Sequence, residues 1–180
     1  MRAYKTEGII LKRSNYGEAD RLLTIFTKNH GKLRVIAKGV RRITSRRGGN
    51  LELFNDVNVY LNCGKNLDSL SEVEVINSFS NWRKDIKSVG VAYYLCELVD
   101  KLTAEGQEHY QVFKLLVNSL SRLSERNYTE LVVNFEKELI TELGFGVPEN
   151  LKDSQKSLKD YIEQITEKKI TSPKIIREIW

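Results

Sequence analysis

Little in this 180-residue chain can serve covalent or metal chemistry. Its two cysteines, Cys63 and Cys96, are far apart and have no second pair. That excludes a four-thiolate zinc site, and both are expected to be ordinary reduced thiols. The two histidines, His30 and His109, stand at no metal-ligand spacing from either cysteine. A structural or phosphate-facing role for His30, in the turn Asn29-His30-Gly31, is as well supported as a catalytic one. No glycine-rich loop ends in Gly-Lys-Ser/Thr, and Gly48-Gly49-Asn50 lacks the strand and helix that a nucleotide fingerprint needs. Glu18 and Asp20 have no third or fourth carboxylate at two-metal spacing; Glu18 is expected to fix its turn or to pair with Arg21. We therefore assign no catalytic residue, no cofactor and no metal ligand, and expect a protein that is not an enzyme. No run approaches eighteen apolar residues, and Met1 to Lys5 leads into a strand-like pattern rather than a signal peptide. No membrane partner and a cytoplasmic location are expected.

What the chain does have is an uneven distribution of charge. The net charge is +5. Residues 1–80 hold 14 Lys and Arg against 8 Asp and Glu, and residues 81–180 hold 15 against 16, so the whole positive excess lies in the first part. A polyanion would meet that part first. Within it, Lys28, Lys32, Arg34, Lys38, Arg41, Arg42, Arg46 and Arg47 are eight cations in twenty residues with no intervening Asp or Glu. Ordinary surfaces intersperse the two signs. Arginine presents a planar fork that matches phosphate oxygens, and such contacts hold a nucleic-acid backbone without reading its bases. The glycine-flanked stretch from Val40 to Gly49 fits neither regular structure and is expected to be a mobile arginine-rich loop.

Residue periodicity divides the chain at the same place. Five strand-like runs, Lys5 to Lys12, Arg21 to Thr27, Lys32 to Lys38, Leu51 to Leu61 and Leu70 to Phe79, are separated by turn residues such as Ser14-Asn15-Tyr16-Gly17 and Asn62-Cys63-Gly64. A sheet this small is expected to close, because closure removes its edges. From Trp82 onward the apolar residues recur at steps of three and four: Trp82, Ile86, Val89, Tyr93, Cys96, Val99; then Val112, Leu115 or Leu116, Leu120, Leu123; then Tyr128, Leu131 or Val132, Phe135, Leu139, Leu143. Gly144 to Pro148 stop the third helix. Two short helices, from about Gln155 to Ile165 and from Pro173 onward, complete the pattern. Aromatic platforms often accompany backbone contacts. Of Tyr16, Phe26, Phe54 and Tyr60, Tyr16 in its polar turn is the best exposed, and Phe26 is expected in the core.

The runs Thr6-Glu7-Gly8-Ile9-Ile10-Leu11-Lys12-Arg13, Tyr16-Gly17-Glu18-Ala19-Asp20-Arg21-Leu22-Leu23 and Ala37-Lys38-Gly39-Val40-Arg41-Arg42 closely resemble the N-terminal domain of the RecO family of bacterial recombination mediators. Looser likeness continues through Leu51-Glu52-Leu53-Phe54, Tyr93-Tyr94-Leu95-Cys96-Glu97-Leu98 and Phe135-Glu136-Lys137-Glu138-Leu139 to Leu143-Gly144-Phe145-Gly146. The resemblance implies an α+β protein: an N-terminal five-stranded OB-fold β-barrel over residues 1–80, then an all-helical domain over residues 81–180. Many family members carry two cysteine pairs for zinc after the Gly144-Phe145-Gly146 equivalent. None occurs here, so the helical domain is expected to be a shortened, zinc-free version.

The resemblance further implies binding of single- and double-stranded DNA and annealing of complementary strands. It implies exchange of single-strand binding protein for the RecA recombinase together with RecR. The family's basic barrel face corresponds to Lys32, Arg34, Lys38, Arg41 and Arg42. Arg46 and Arg47 extend it, and Tyr16 is added as a stacking platform. The acidic tail of the single-strand binding protein is expected on the helical domain, with the third helix and Lys137 as candidates. A different class of function, a non-catalytic adaptor whose basic barrel binds an acidic protein, fits the charge pattern as well.

Overall fold

The computed structural model describes residues 2–148 and 155–171. Its elements run β1 (Ala3–Tyr16), β2 (Asp20–Thr27), β3 (Gly31–Ala37), β4 (Asp56–Asn62), β5 (Asp68–Asn77), α1 (Ile86–Leu102), α2 (Tyr110–Arg122), α3 (Tyr128–Glu142) and α4 (Gln155–Thr166). The five strands close in the order β1-β2-β3-β5-β4. All neighbours are antiparallel except β3 and β5, which meet in parallel at Val35 with Asp68 and Ile36 with Ser69. This is the five-stranded OB-fold barrel expected from the sequence.

Closure depends on β1, which serves two neighbours. Its first half, Ala3 to Ile9, pairs with β4, and its second half, from Gly8 to Tyr16, pairs with β2. A register shift between Ile10 and Lys12 marks a bulge, which bends a strand and increases its twist. Gly8 sits in both ladders, where a Cβ would lie 2.6 Å from the Ile25 methyl and 3.0 Å from the Phe26 carbonyl oxygen. A glycine is therefore required for β1 to cross from one partner to the other. Alternation along the strands turns Ile10, Leu23, Ile25, Val35, Ala37, Val57, Val59, Leu61, Leu70 and Val73 into one buried cluster, joined by Val40 and Leu51. Burying each large aliphatic side chain contributes about 1.5–3 kcal/mol.

The strand boundaries differ from the sequence expectation in three places. β1 runs on through Ser14 and Asn15 to Tyr16, so the hairpin turn tightens to Gly17–Ala19. Leu51 closes a short 3-10 turn, Gly48–Leu51, and β4 begins only at Asp56. Phe54 between them has a left-handed φ of 70°, which breaks an extended run. β5 ends at Asn77, and Phe79 instead stacks on Trp82 at 6.2 Å between ring centroids.

The chain forms two compact units, 1–78 with 103–113, and 79–102 with the residues from Lys114 onward. The barrel unit thus includes a segment that periodicity placed wholly with the helices. In the helical unit, the Trp82 indole N–H donates to the Leu120 carbonyl at 2.7 Å. Asp85 accepts from the Ser88 amide at 2.9 Å, three residues on, which is the bonding of an N-cap ahead of α1. The Tyr128 hydroxyl donates to the same carboxylate at 2.5 Å, and these bonds hold the Asp85 carboxyl down to about 2. α4 lies where the periodicity put it, with Leu158 and Ile162 buried. The helix expected from Pro173 onward, with its Ser172 cap, lies outside the described residues.

Candidate nucleic-acid interface

The acid-free run begins in the turn after β2, follows β3, and continues through the segment that leads to Leu51. Alternation on β3 sends Val35 and Ala37 inward, so Lys32, Arg34 and Lys38 belong to the other face. Arg34 and Lys38 are exposed there. Lys32 is only 8% exposed, and its Nζ donates to the Thr103 carbonyl at 2.8 Å. The segment 103–107 lies along this end of β3: Glu105 bridges Lys32 in parallel, and the Gly106 amide donates to the Lys32 carbonyl at 3.0 Å. It fits because Gly31 has φ +64° and a Cβ there would sit 2.1 Å from the Gln107 carbonyl oxygen. The expectation that Lys32 faces a polyanion is therefore corrected, since its ammonium is buried and bonded to backbone.

The loop after β3, expected to be mobile, is hydrogen-bonded at several points. The Gly39 amide donates to Asp20 Oδ1 at 2.7 Å, the Arg41 amide to the Ala19 carbonyl at 2.9 Å, and the Arg41 Nη1 to the Gly17 carbonyl at 3.1 Å. The loop is thereby stapled to the β1–β2 hairpin that carries Tyr16. At its far end Arg47 reaches three carbonyls, with Nη2 on Lys38 at 2.9 Å and Nη1 on Ser71 at 3.0 Å and Leu70 at 3.3 Å. Arg47 is a tie between the loop and β5 that still carries its charge, and several of its donors are committed to backbone.

Between these anchors lies an open depression of about 690 Å³ lined by Lys38, Arg42, Arg46 and Arg47, with Asp20, Gly39, Thr44 and Ser45 completing its wall. Among the described residues no carboxylate pairs with Arg34, Lys38, Arg42 or Arg46. Three cations elsewhere on the barrel do face carboxylates: Lys5 with Glu74 at 3.4 Å, Arg13 with Glu52 at 2.6 Å, and Lys28 with Glu7 at 2.8 Å. The positive field is thus concentrated where the structure leaves guanidinium and ammonium groups unpaired. Ser45 adds a donor that its residue type did not advertise. Its Oγ is buried beside the depression with no hydrogen-bond partner among the described residues.

Of the aromatic candidates, Tyr16 is 56% exposed, whereas Phe26 and Phe54 are buried. Tyr60 is half-buried beneath the Lys5 ammonium, 4.6 Å from its ring centroid. His30 packs edge-on against Tyr4 at 4.8 Å. Sequence reasoning weighed Asp20 only for a metal pair and did not single out Ser45 or the fully exposed Ile43. An isoleucine inside an otherwise cationic stretch was the one readable signal among them. Among the described residues there is no cluster of three or more His, Cys, Asp or Glu suited to a metal ion, and no helix long and apolar enough to cross a membrane.

The fold and this face together define an OB-fold barrel with a concentrated basic surface, followed by a helical unit. Residues 1–79 match the family model described as "Recombination protein O N terminal", and residues 83–152 match "Recombination protein O C terminal". The chain belongs to the RecO family. It is 39% identical over 145 residues to the DNA repair protein RecO of Roseiflexus sp. (strain RS-1), covering 80% of this chain and 51% of that protein. With the protein of the same name from Symbiobacterium thermophilum it shares 36% over 147 residues, covering 81% and 58%. With that from Pelotomaculum thermopropionicum it shares 33% over 145 residues, covering 81% and 57%. The chain thus spans between half and three fifths of the length of these relatives. A chain in the crystal structure of the S. pombe Stn1-ten1 complex shows only a remote likeness, at 18% identity and a TM-score of 0.34 over 54% of this chain and 77% of that one.

Proposed function

We propose that this protein is a non-enzymatic DNA-binding mediator of recombinational repair that anneals complementary single strands. In this reading it helps exchange single-strand binding protein for the RecA recombinase, acting with RecR and engaging the acidic tail of the single-strand binding protein. The observation that carries the reading is the contrast in pairing. Among the described residues Arg34 on β3 and Lys38, Arg42 and Arg46 in the following loop have no carboxylate partner, whereas Lys5, Arg13 and Lys28 elsewhere on the barrel have one. Annealing breaks and forms no covalent bond. Base pairing supplies the free energy once repulsion between two phosphodiester chains is reduced. Arg34, Lys38, Arg41, Arg42 and Arg46, with the charge of Arg47, reduce it, and Tyr16 offers a face on which a base can stack.

The test is binding of random-sequence single-stranded oligonucleotides to the full chain across a range of salt. Affinity falls as salt rises, and replacing Arg41, Arg42 and Arg46 by alanine shallows the logarithmic slope by about 0.7 for each phosphate that is no longer neutralised. Salt-independent binding, or a triple variant that binds as the parent does, rejects the reading and leaves an acidic protein as the partner of this face.

A further inference from the structure

Ile43 is fully exposed, at 105% of its reference accessibility. Isolated exposed apolar residues are common, but the setting of this one is particular. It stands between Arg41-Arg42 and Arg46 in a loop held at one end by the Arg41 bonds to Gly17 and Ala19 and at the other by the Arg47 bonds to Lys38, Leu70 and Ser71. The loop cannot fold the isoleucine back into the core without breaking those anchors. A β-branched side chain also keeps few rotamers, so it projects as a stiff apolar tip. The flanking Arg42 and Arg46 line the depression and Ile43 does not, so the apolar tip and two cations able to hold phosphate occupy neighbouring positions of one loop.

We infer that Ile43 is a wedge that inserts between adjacent bases of a bound strand while Arg42 and Arg46 hold the neighbouring phosphates. The inference rests on the nucleic-acid reading above. An apolar side chain inserted at a base step replaces stacking with contact on the ring faces and splays the step. In an annealing protein a splayed step interrupts intrastrand stacking and turns base edges outward for pairing. Tyr16, exposed on the hairpin to which the loop is stapled, offers a second ring face for a base. A partner with an apolar pocket is the competing use of such a tip.

The experiment uses an adenine-rich single strand carrying one 2-aminopurine, whose fluorescence rises on unstacking, with anisotropy of an end label reporting binding. With the full chain at saturation, fluorescence rises. Ile43→Ser lowers that rise by more than half while changing the dissociation constant less than threefold, and Ile43→Leu restores it. Because the side chain is fully exposed, neither substitution removes buried packing. Binding with an unstacking signal that Ile43→Ser leaves unchanged overturns the wedge and leaves the nucleic-acid reading intact. No anisotropy change at low salt overturns both.

Discussion

Gly39 donates its amide to the carboxylate of Asp20 at 2.7 Å, and this bond sets where the basic loop begins. The two residues flank the last paired positions of β2 and β3, Arg21 with Ala37, so a side chain extends the ladder where the backbones part. The same carboxylate stands in the wall of the depression formed by Lys38, Arg42, Arg46 and Arg47. It therefore anchors the loop and repels the ligand that the loop would hold. Asp20→Ala is expected to lower unfolding free energy by about 1–2 kcal/mol, as loss of a charge-assisted bond does. Asp20→Asn keeps an acceptor and removes the charge, so it should bind single-stranded DNA more tightly than the parent at low salt. Denaturant melts and anisotropy titrations of both variants check the pair; weaker binding by Asp20→Asn contradicts the assignment.

Lys32 and Arg42 belong to one acid-free run but are expected to respond oppositely. Lys32→Ala leaves the Thr103 carbonyl without its donor and opens space beneath a buried stem, costing about 1–3 kcal/mol of stability with little change in salt slope. Arg42→Ala should change stability by no more than about 0.5 kcal/mol. It should weaken DNA binding alike for unrelated sequences. Urea unfolding and salt titrations of the two single variants separate these effects.

Ser45 offers a narrower test. Its unpartnered hydroxyl gives the free protein nothing, so Ser45→Ala should leave stability unchanged or slightly raised. If the hydroxyl donates to a bound phosphate, the variant loses about 1 kcal/mol of binding, roughly fivefold in affinity. Equal affinity of parent and variant at several salt concentrations removes Ser45 from the interface.

The helical unit carries a pH dependence of definite sign. Glu136 is buried on α3, bonded by the Tyr94 hydroxyl, and its second carboxyl oxygen has no partner. Burial pushes its carboxyl up to about 8, against the opposing pull of the Tyr94 bond and Lys159. Burial and the nearby Glu7 likewise raise Asp56, in the barrel, to about 7. For both, the folded state holds a proton that the unfolded state has released, so stability falls as pH rises from the ordinary carboxylate range to these values. Glu136→Gln is neutral at every pH and should remove its share of that fall. Urea midpoints of parent and variant between pH 5 and 9 provide the check, and curves that stay parallel count against a buried proton on Glu136.

Much of this was legible without coordinates. Alternation in Leu33-Val35-Ala37 and Val57-Val59-Leu61, and steps of three and four from Trp82 to Leu143, reflect local backbone geometry. They therefore placed strands and helices to within a few residues. The errors fell where one residue overrides a pattern, as at Phe54, whose left-handed backbone delays β4. Long-range choices were not legible. That Thr103 would meet Lys32 depends on how residues 103–113 lie along β3, and no local pattern encodes such a meeting.

The acid-free stretch from Lys28 to Arg47 already placed the positive charge on the first part of the chain, because net charge follows from covalent composition alone. Which of those cations remain available is a matter of three-dimensional neighbours. Lys28 has Glu7, Lys32 is covered by Thr103, and Arg47 is drawn to three carbonyls, whereas Arg34, Lys38, Arg42 and Arg46 stay unpaired among the described residues. Hydrogen bonds and direct ion pairs form only between groups within about 4 Å of each other. A charge is therefore kept or spent by what the fold brings beside it, not by its place along the chain.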